Sequence, residues 1–185
     1  MNYVLRPALT LFITAALAAV FVIVAHSFTL EPIRQQHQRT QEATMREVFP
    51  EASAFNTIEA ELSGHITAAL EAVDSSGKRL GYLVLLSAPG YGGDIEMMVG
   101  ISTGNQRVSG IRISRHTETP GLGALAAQAN FYQRFENRAL RPLNVVRAAP
   151  SDNDVQALTS ATITSRAVTS AVNEAIDWYA GRLEQ

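Results

Sequence analysis

The chain has 185 residues, no cysteine, and 15 Lys plus Arg against 17 Asp plus Glu, a formal net charge of −2. This balance lacks the basic footprint of a nucleic-acid binder, and a hydrophobic share of 46% suits one ordinary domain with a short extra element. The missing cysteines exclude disulfides, thiolate-held iron–sulfur clusters and a cysteine nucleophile, and His26, His37, His65 and His116 lack metal-ligand spacing, so no metal site is expected.

The first element is an apolar run, "ALTLFITAALAAVFVIVA", from Ala8 to Ala25 without a charge. Extended from Pro7 to Leu30 it gains only His26 as an ionisable group, and such a helix covers roughly 30–35 Å, enough for a hydrocarbon core. The run exceeds the apolar part of a secretory signal, and "VAHSF" is a poor cleavage site, so a retained transmembrane anchor is expected. Arg6 precedes it and Arg34 and Arg39 follow it, so charge hardly orients it. The preferred orientation keeps a short tail inside and the following domain outside.

After Pro32, "IRQQHQRTQEATMREVF" predicts a polar helix ending at Pro50, with Ile33, Met45, Val48 and Phe49 too sparse for a core helix; a stalk is expected. From Ile66 the pattern turns to strands. "AALEAVDSSGKRLGYLVLLS" predicts two strands joined at Asp74–Gly77. In "GYGGDIEMMVGIS", alternating Ile95, Met97, Val99 and Ile101 mark one buried face. A turn at Gly104–Asn105 leads to "QRVSGIRISRH", where Val108, Ile111 and Ile113 fall out of step across Gly110, the sign of a bulge. About four antiparallel strands result. A short helix over "ALAAQANFYQRFENR", broken at Asn130, a strand at Leu143–Arg147 and an amphipathic last helix bearing Val168, Val172, Ile176 and Tyr179 complete the reading. The fold class is α+β: one N-terminal transmembrane helix, then an antiparallel sheet packed with helices. The expected divisions are 1–30 for tail and anchor, 31–65 for a linker and 66–185 for the domain.

Two stretches carry potential chemistry. "TSATITS", Thr159 to Ser165, places five hydroxyl residues in seven positions at the start of the last helix. Thr164 or Ser165 serves as an N-cap in the simplest reading. The remaining hydroxyls stand beside a helix N-terminus, whose free N–H groups and dipole suit a phosphate, with a threonine oxygen as a possible attachment atom. Regulatory phosphorylation is a third reading. The second stretch, "RHTETPGLGA" (Arg115 to Ala124), joins a Pro-Gly turn to Thr117, Glu118, Thr119 and a second glycine, which suits a binding loop as well as a connector.

Taken together and in this order, "GYGGDIEMMVGI", "HTETPGLGA" and "LTSATITSRAV" resemble the covalent FMN-binding domain found in the G subunit of Rnf-type electron-transport complexes and the C subunit of sodium-pumping NADH:quinone reductases. The resemblance runs from about Gly81 to the last helix, the single anchor also matches, and the chain length favours the G subunit. It implies FMN attached through its phosphate to Thr162, with Thr159, Ser160 and Ala161 as the preceding motif and Thr164 close by. Glu118, Thr119, Gly121, Leu122 and Gly123 would lie beside the flavin. Ser160 stands where Gly is commoner. Gln156 stands where many members have Asp, a position linked to recognition by the flavin transferase, and Asp152 and Asp154 are out of register.

The resemblance further implies a bacterial inner-membrane, single-pass flavoprotein with its domain on the periplasmic side. It would relay electrons among polytopic and iron–sulfur subunits of a complex coupling ferredoxin–NAD electron transfer to ion translocation. No nucleophile–base pair or paired carboxylates suggest independent catalysis. The alternatives are a C-type quinone reductase subunit or other respiratory flavoprotein, and a flavin-free, membrane-anchored assembly module.

Overall fold

The computed structural model describes residues 2–59, 61–148 and 150–183, and the side chains of these except 2–7 and 25–40. Residues 1–42 form one compact unit and residues 43–185 another. Helix α1, Asn2–Val48, belongs to the first for most of its length. Its described part exposes Leu9, Leu11, Phe12, Ile13, Leu17 and Val20 to Val24. Among the described residues no helix is long and apolar enough to cross a membrane. Of the expected anchor, Pro7 to Leu30, the side chains of residues 7 and 25–30 lie outside the described ones.

The second unit is built on a five-stranded antiparallel meander: β1 Ala54–Thr57, β2 Ile66–Val73, β3 Arg79–Pro89, β4 Asp94–Ser102 and β5 Arg107–Arg115, paired in that order. The β2–β3 turn falls where expected, and Asp74 Oδ1 accepts from Ser76 N at 2.8 Å and Lys78 N at 3.0 Å. The bulge in β5 is also present: Gly100 pairs with Gly110 and Ile101 with Val108, leaving Ser109 as the extra residue. Strand β1 adds a fifth strand to the expected four. It lies in the stretch read as linker, because four residues with one half-buried side chain carry too little alternation to stand out.

Both faces of the sheet are covered. On one, Tyr82, Val84, Leu86, Met97 and Val99 pack with Val168, Val172, Ile176 and Tyr179 of α3, Thr162–Leu183. Phe131 and Phe135 complete this core. They come from a broken helical stretch: a 3-10 turn Gly123–Ala127, α2 Ala129–Tyr132 and a second 3-10 turn Gln133–Phe135, so the break precedes Asn130. On the other face, Met45, Val48 and Phe49 pack with Ala52, Ala72, Leu83 and Met98. The residues expected to form an uncommitted stalk are therefore core at its last turn, and Met98, out of step with the β4 alternation, is buried against them. Val48→Ala should lower stability by about 2 kcal/mol, seen as a lower urea midpoint at unchanged slope.

Two further strands, β6 Asn144–Val146 and β7 Asp154–Gln156, form a parallel pair. The first matches the expected strand, and the second was not expected from the sequence. Between β7 and α3 lies the hydroxyl-rich stretch.

Candidate functional site

The site forms where three connections meet: the β3–β4 turn, the loop after β5 and the first turn of α3. Glu118 holds them together. It is only 6% exposed, yet both carboxylate oxygens are satisfied. Oε1 accepts from Tyr91 N at 2.7 Å and Gly92 N at 3.0 Å, and Oε2 accepts from the Thr164 hydroxyl at 2.7 Å. Burial pushes this carboxyl up, but the hydrogen bonds from Gly92, Thr164 and Tyr91, with His116 nearby, outweigh it and hold the acid below its ordinary range. Gly123 is required by close approach, since a Cβ there would run into Glu118 Oε2 and Thr164 Oγ1.

The hydroxyls of "TSATITS" divide by role. Ser165 is buried, accepts from Leu158 N at 2.9 Å and donates to Ala161 O at 2.9 Å. Thr164 donates to Glu118. Helix α3 starts at Thr162, ahead of both, so neither Thr164 nor Ser165 is the N-cap expected from sequence; they lock the start of the helix to the loops around it. Thr162, half-buried, opens the helix. The first amide bonding back is that of Ser165, to Ala161 O at 3.0 Å, so those of Thr162, Ile163 and Thr164 precede any i−4 acceptor within the helix. Ser160 is exposed at φ +61°, a left-handed conformation that disfavours a Cβ. Ser160→Gly should therefore stabilise the fold by about 0.5 kcal/mol, measurable as a raised urea midpoint.

An open cleft of about 420 Å³ lies along this junction, within the size range of small-molecule sites. Its walls are Tyr91, Glu118, Thr119, Leu122, Gly123, Ser160, Ala161, Thr162, Ile163 and Thr164. Glu118 and Thr162, some forty positions apart, thus share one cavity. Two of the expected site residues stand outside the walls: Thr159 is exposed, and Gly121 turns the loop at φ +76°. Tyr91 and Ile163 are wall residues missed in the sequence. The signal for Tyr91 was its place as the one side chain within "GYGG"; Ile163, alone among hydroxyls, offered none.

Upstream, Gln156 ends β7 with an exposed side chain. Asp154 Oδ2 accepts from Ser151 N at 3.0 Å and from Ser151 Oγ at 2.6 Å, which holds its acid below the ordinary range.

Comparison with known proteins places this geometry in a class. Residues 90–177 match the FMN-binding domain family, a span holding both the Glu118 loop and the Thr162 turn. The chain is 32% identical over 89% of its length to the G subunit of the proton-translocating ferredoxin:NAD(+) oxidoreductase complex of Clostridium ljungdahlii, covering 85% of that relative. It is also 32% identical over 95% of its length to the G subunit of the Na(+)-translocating ferredoxin:NAD(+) oxidoreductase complex of Acetobacterium woodii, covering 91% of it. The fold is shared with the C subunit of the Na(+)-translocating NADH-quinone reductase of Parabacteroides distasonis, at a TM-score of 0.62 and 16% identity, over 82% of this chain and 96% of that one. The family match and the fold define an FMN-binding domain. Within that class, the chain belongs to the G-subunit family of ion-translocating oxidoreductase (Rnf-type) complexes.

Proposed function

We propose that this chain carries FMN as a phosphoester on Thr162 and relays electrons in a membrane complex that couples ferredoxin–NAD electron transfer to ion translocation. The observation that carries this reading is Thr162 in the wall of an open cleft that the Glu118 loop also lines. The residues present suit the group. Thr162 offers the ester oxygen, and the early amides of α3 with the helix dipole favour phosphate charge beside it. Leu122 and Ile163 give the cleft an apolar wall for a planar ring.

When bound, the isoalloxazine ring supplies the redox chemistry; the chain binds it, orients it and fixes its distance from neighbouring centres. A covalent tether removes the dissociation equilibrium, which matters where lost cofactor is hard to replace. Polytopic and iron–sulfur subunits are the proposed electron partners, and a flavin transferase the maturation partner.

Residues 1–30 are proposed as tail and single-pass anchor. The uncharged run Ala8–Ala25 supports this, as do the exposed apolar side chains of Leu9 to Val24, which have a favourable solvent in lipid. The unit from Ala43 on would lie outside the cytoplasm, on the periplasmic side of the inner membrane. The chain has no cysteine, so one engineered cysteine in that unit is its only thiol. Labelling by an impermeant maleimide in intact cells is expected, and protection until lysis would reverse the orientation.

The flavin reading is tested by co-expression with a flavin transferase and ultraviolet-excited fluorescence of the denatured chain in a gel. A bright band at the mass of the chain is expected, and a dark one sinks the proposal. Co-purification with polytopic and iron–sulfur subunits supports the relay; a bright chain that purifies without them removes it.

A further inference from the structure

The β3–β4 turn, Gly90-Tyr91-Gly92-Gly93, gives up side chains at three of its four positions. Each glycine is required by its surroundings. A Cβ on Gly90 would meet Glu118 Oε1, one on Gly92 would meet Thr117 O, and Gly93 sits at φ +143°. The turn is also held firmly from outside. Gly90 N donates to Gly93 O at 2.9 Å, Thr117 Oγ1 donates to Gly92 O at 2.9 Å, and Tyr91 and Gly92 N donate to Glu118. The one side chain left is a tyrosine ring that is 71% exposed and forms part of the cleft wall. Leu122 and Ile163, themselves 41% and 55% exposed, line the same cleft.

An exposed phenol on a clamped backbone has no packing role to explain it. We infer that Tyr91 is a flavin-binding residue, its ring stacking on the isoalloxazine that Thr162 tethers, with Leu122 and Ile163 as its apolar companions. Aromatic rings favour offset stacking on planar π-systems, and tyrosine presents such a face with few rotatable bonds to immobilise. The glycine turn lets the backbone lie close enough to Thr117 and Glu118 to aim the ring, and the bond from Tyr91 N to Glu118 fixes the backbone that carries it. The inference rests on the reading of Thr162 as the attachment point.

The test uses the full-length, flavin-loaded chain as wild type, Tyr91→Phe and Tyr91→Ala. In-gel fluorescence after denaturation reports attachment, and native flavin emission per attached flavin reports what touches the ring. A phenol in contact with an excited flavin quenches it by lending an electron that then returns, leaving no net product, which neither Phe nor Ala can do. Native emission per attached flavin is expected to rise several-fold in both variants. Visible circular dichroism of the flavin should persist in Tyr91→Phe, which still stacks, and fall in Tyr91→Ala. Unchanged native emission in Tyr91→Phe, with the band bright, overturns the stacking role and leaves the Thr162 reading intact. A dark wild-type band overturns both.

Discussion

Replacing Thr162 with Ala should take the in-gel flavin fluorescence of the chain from bright to background while leaving the fold intact. The hydroxyl that disappears is the proposed ester oxygen, and the two hydroxyls that follow it in the helix are engaged elsewhere. Thr164, next along the helix on the cleft side, has its hydroxyl proton committed to Glu118 Oε2 at 2.7 Å, and Ser165 is buried between Leu158 and Ala161. Thr162 is only half-buried, and Ala is a good helix former, so the substitution should cost little stability. Thr164→Ala is the matched control. It should keep a bright band but lower stability by about 1–2 kcal/mol, because a buried carboxylate oxygen loses its donor. A bright Thr162→Ala would place the ester elsewhere, with Thr159 and Ser160 as the exposed hydroxyls to examine next.

These contrasting roles within seven residues show where sequence reading succeeds and where it stops. The strands were legible because Ile95, Met97, Val99 and Ile101 alternate in β4 and the turns carry Asp-Ser-Ser-Gly and Gly-Asn. The β5 bulge could be seen in the broken register of Val108 and Ile111, since a one-residue offset moves side chains to the other face. The last helix was legible from Val168, Val172 and Ile176. The second core was not. Met45, Val48 and Phe49 are too few to mark a buried stripe, and their burial depends on the far face of the sheet, which no local pattern encodes.

In the candidate site, residue types pointed to the two stretches that meet at the cleft, and family resemblance selected Thr162 among the hydroxyls. What stayed hidden was the division of labour. Nothing local says that Thr164 and Ser165 are turned inward while Thr162 lines a cleft; that follows from where α3 begins and from Glu118, which lies forty-six positions before Thr164. Ser160 is a related case. Its φ of +61° supplies a physical reason for glycine at that position, one that composition alone cannot give.

Glu118 carries the second large effect. Its carboxylate receives three donors from two separate elements, so Glu118→Ala leaves two backbone N–H groups and the buried Thr164 hydroxyl without their acceptor. A loss of about 3 kcal/mol in urea unfolding is expected, with a lower flavin load because the cleft loses the tie between its two walls. Glu118→Gln should cost only about 1 kcal/mol, since the amide oxygen can accept from Tyr91 and Gly92 while its NH₂ donates to a reoriented Thr164 hydroxyl. The two variants also separate in pH. Folded Glu118 holds its proton less tightly than the unfolded carboxyl, so the ionised acid stabilises the fold above the unfolded value, about 4.3 for an ordinary glutamate. That contribution fades as pH falls from there through the lower folded value. Wild type should therefore lose its advantage over Glu118→Gln between neutral pH and strong acid, with the change confined to the region below about pH 5. A stability difference that stays constant across that window would mean that the carboxylate is not the charged tie between the β3–β4 turn and α3.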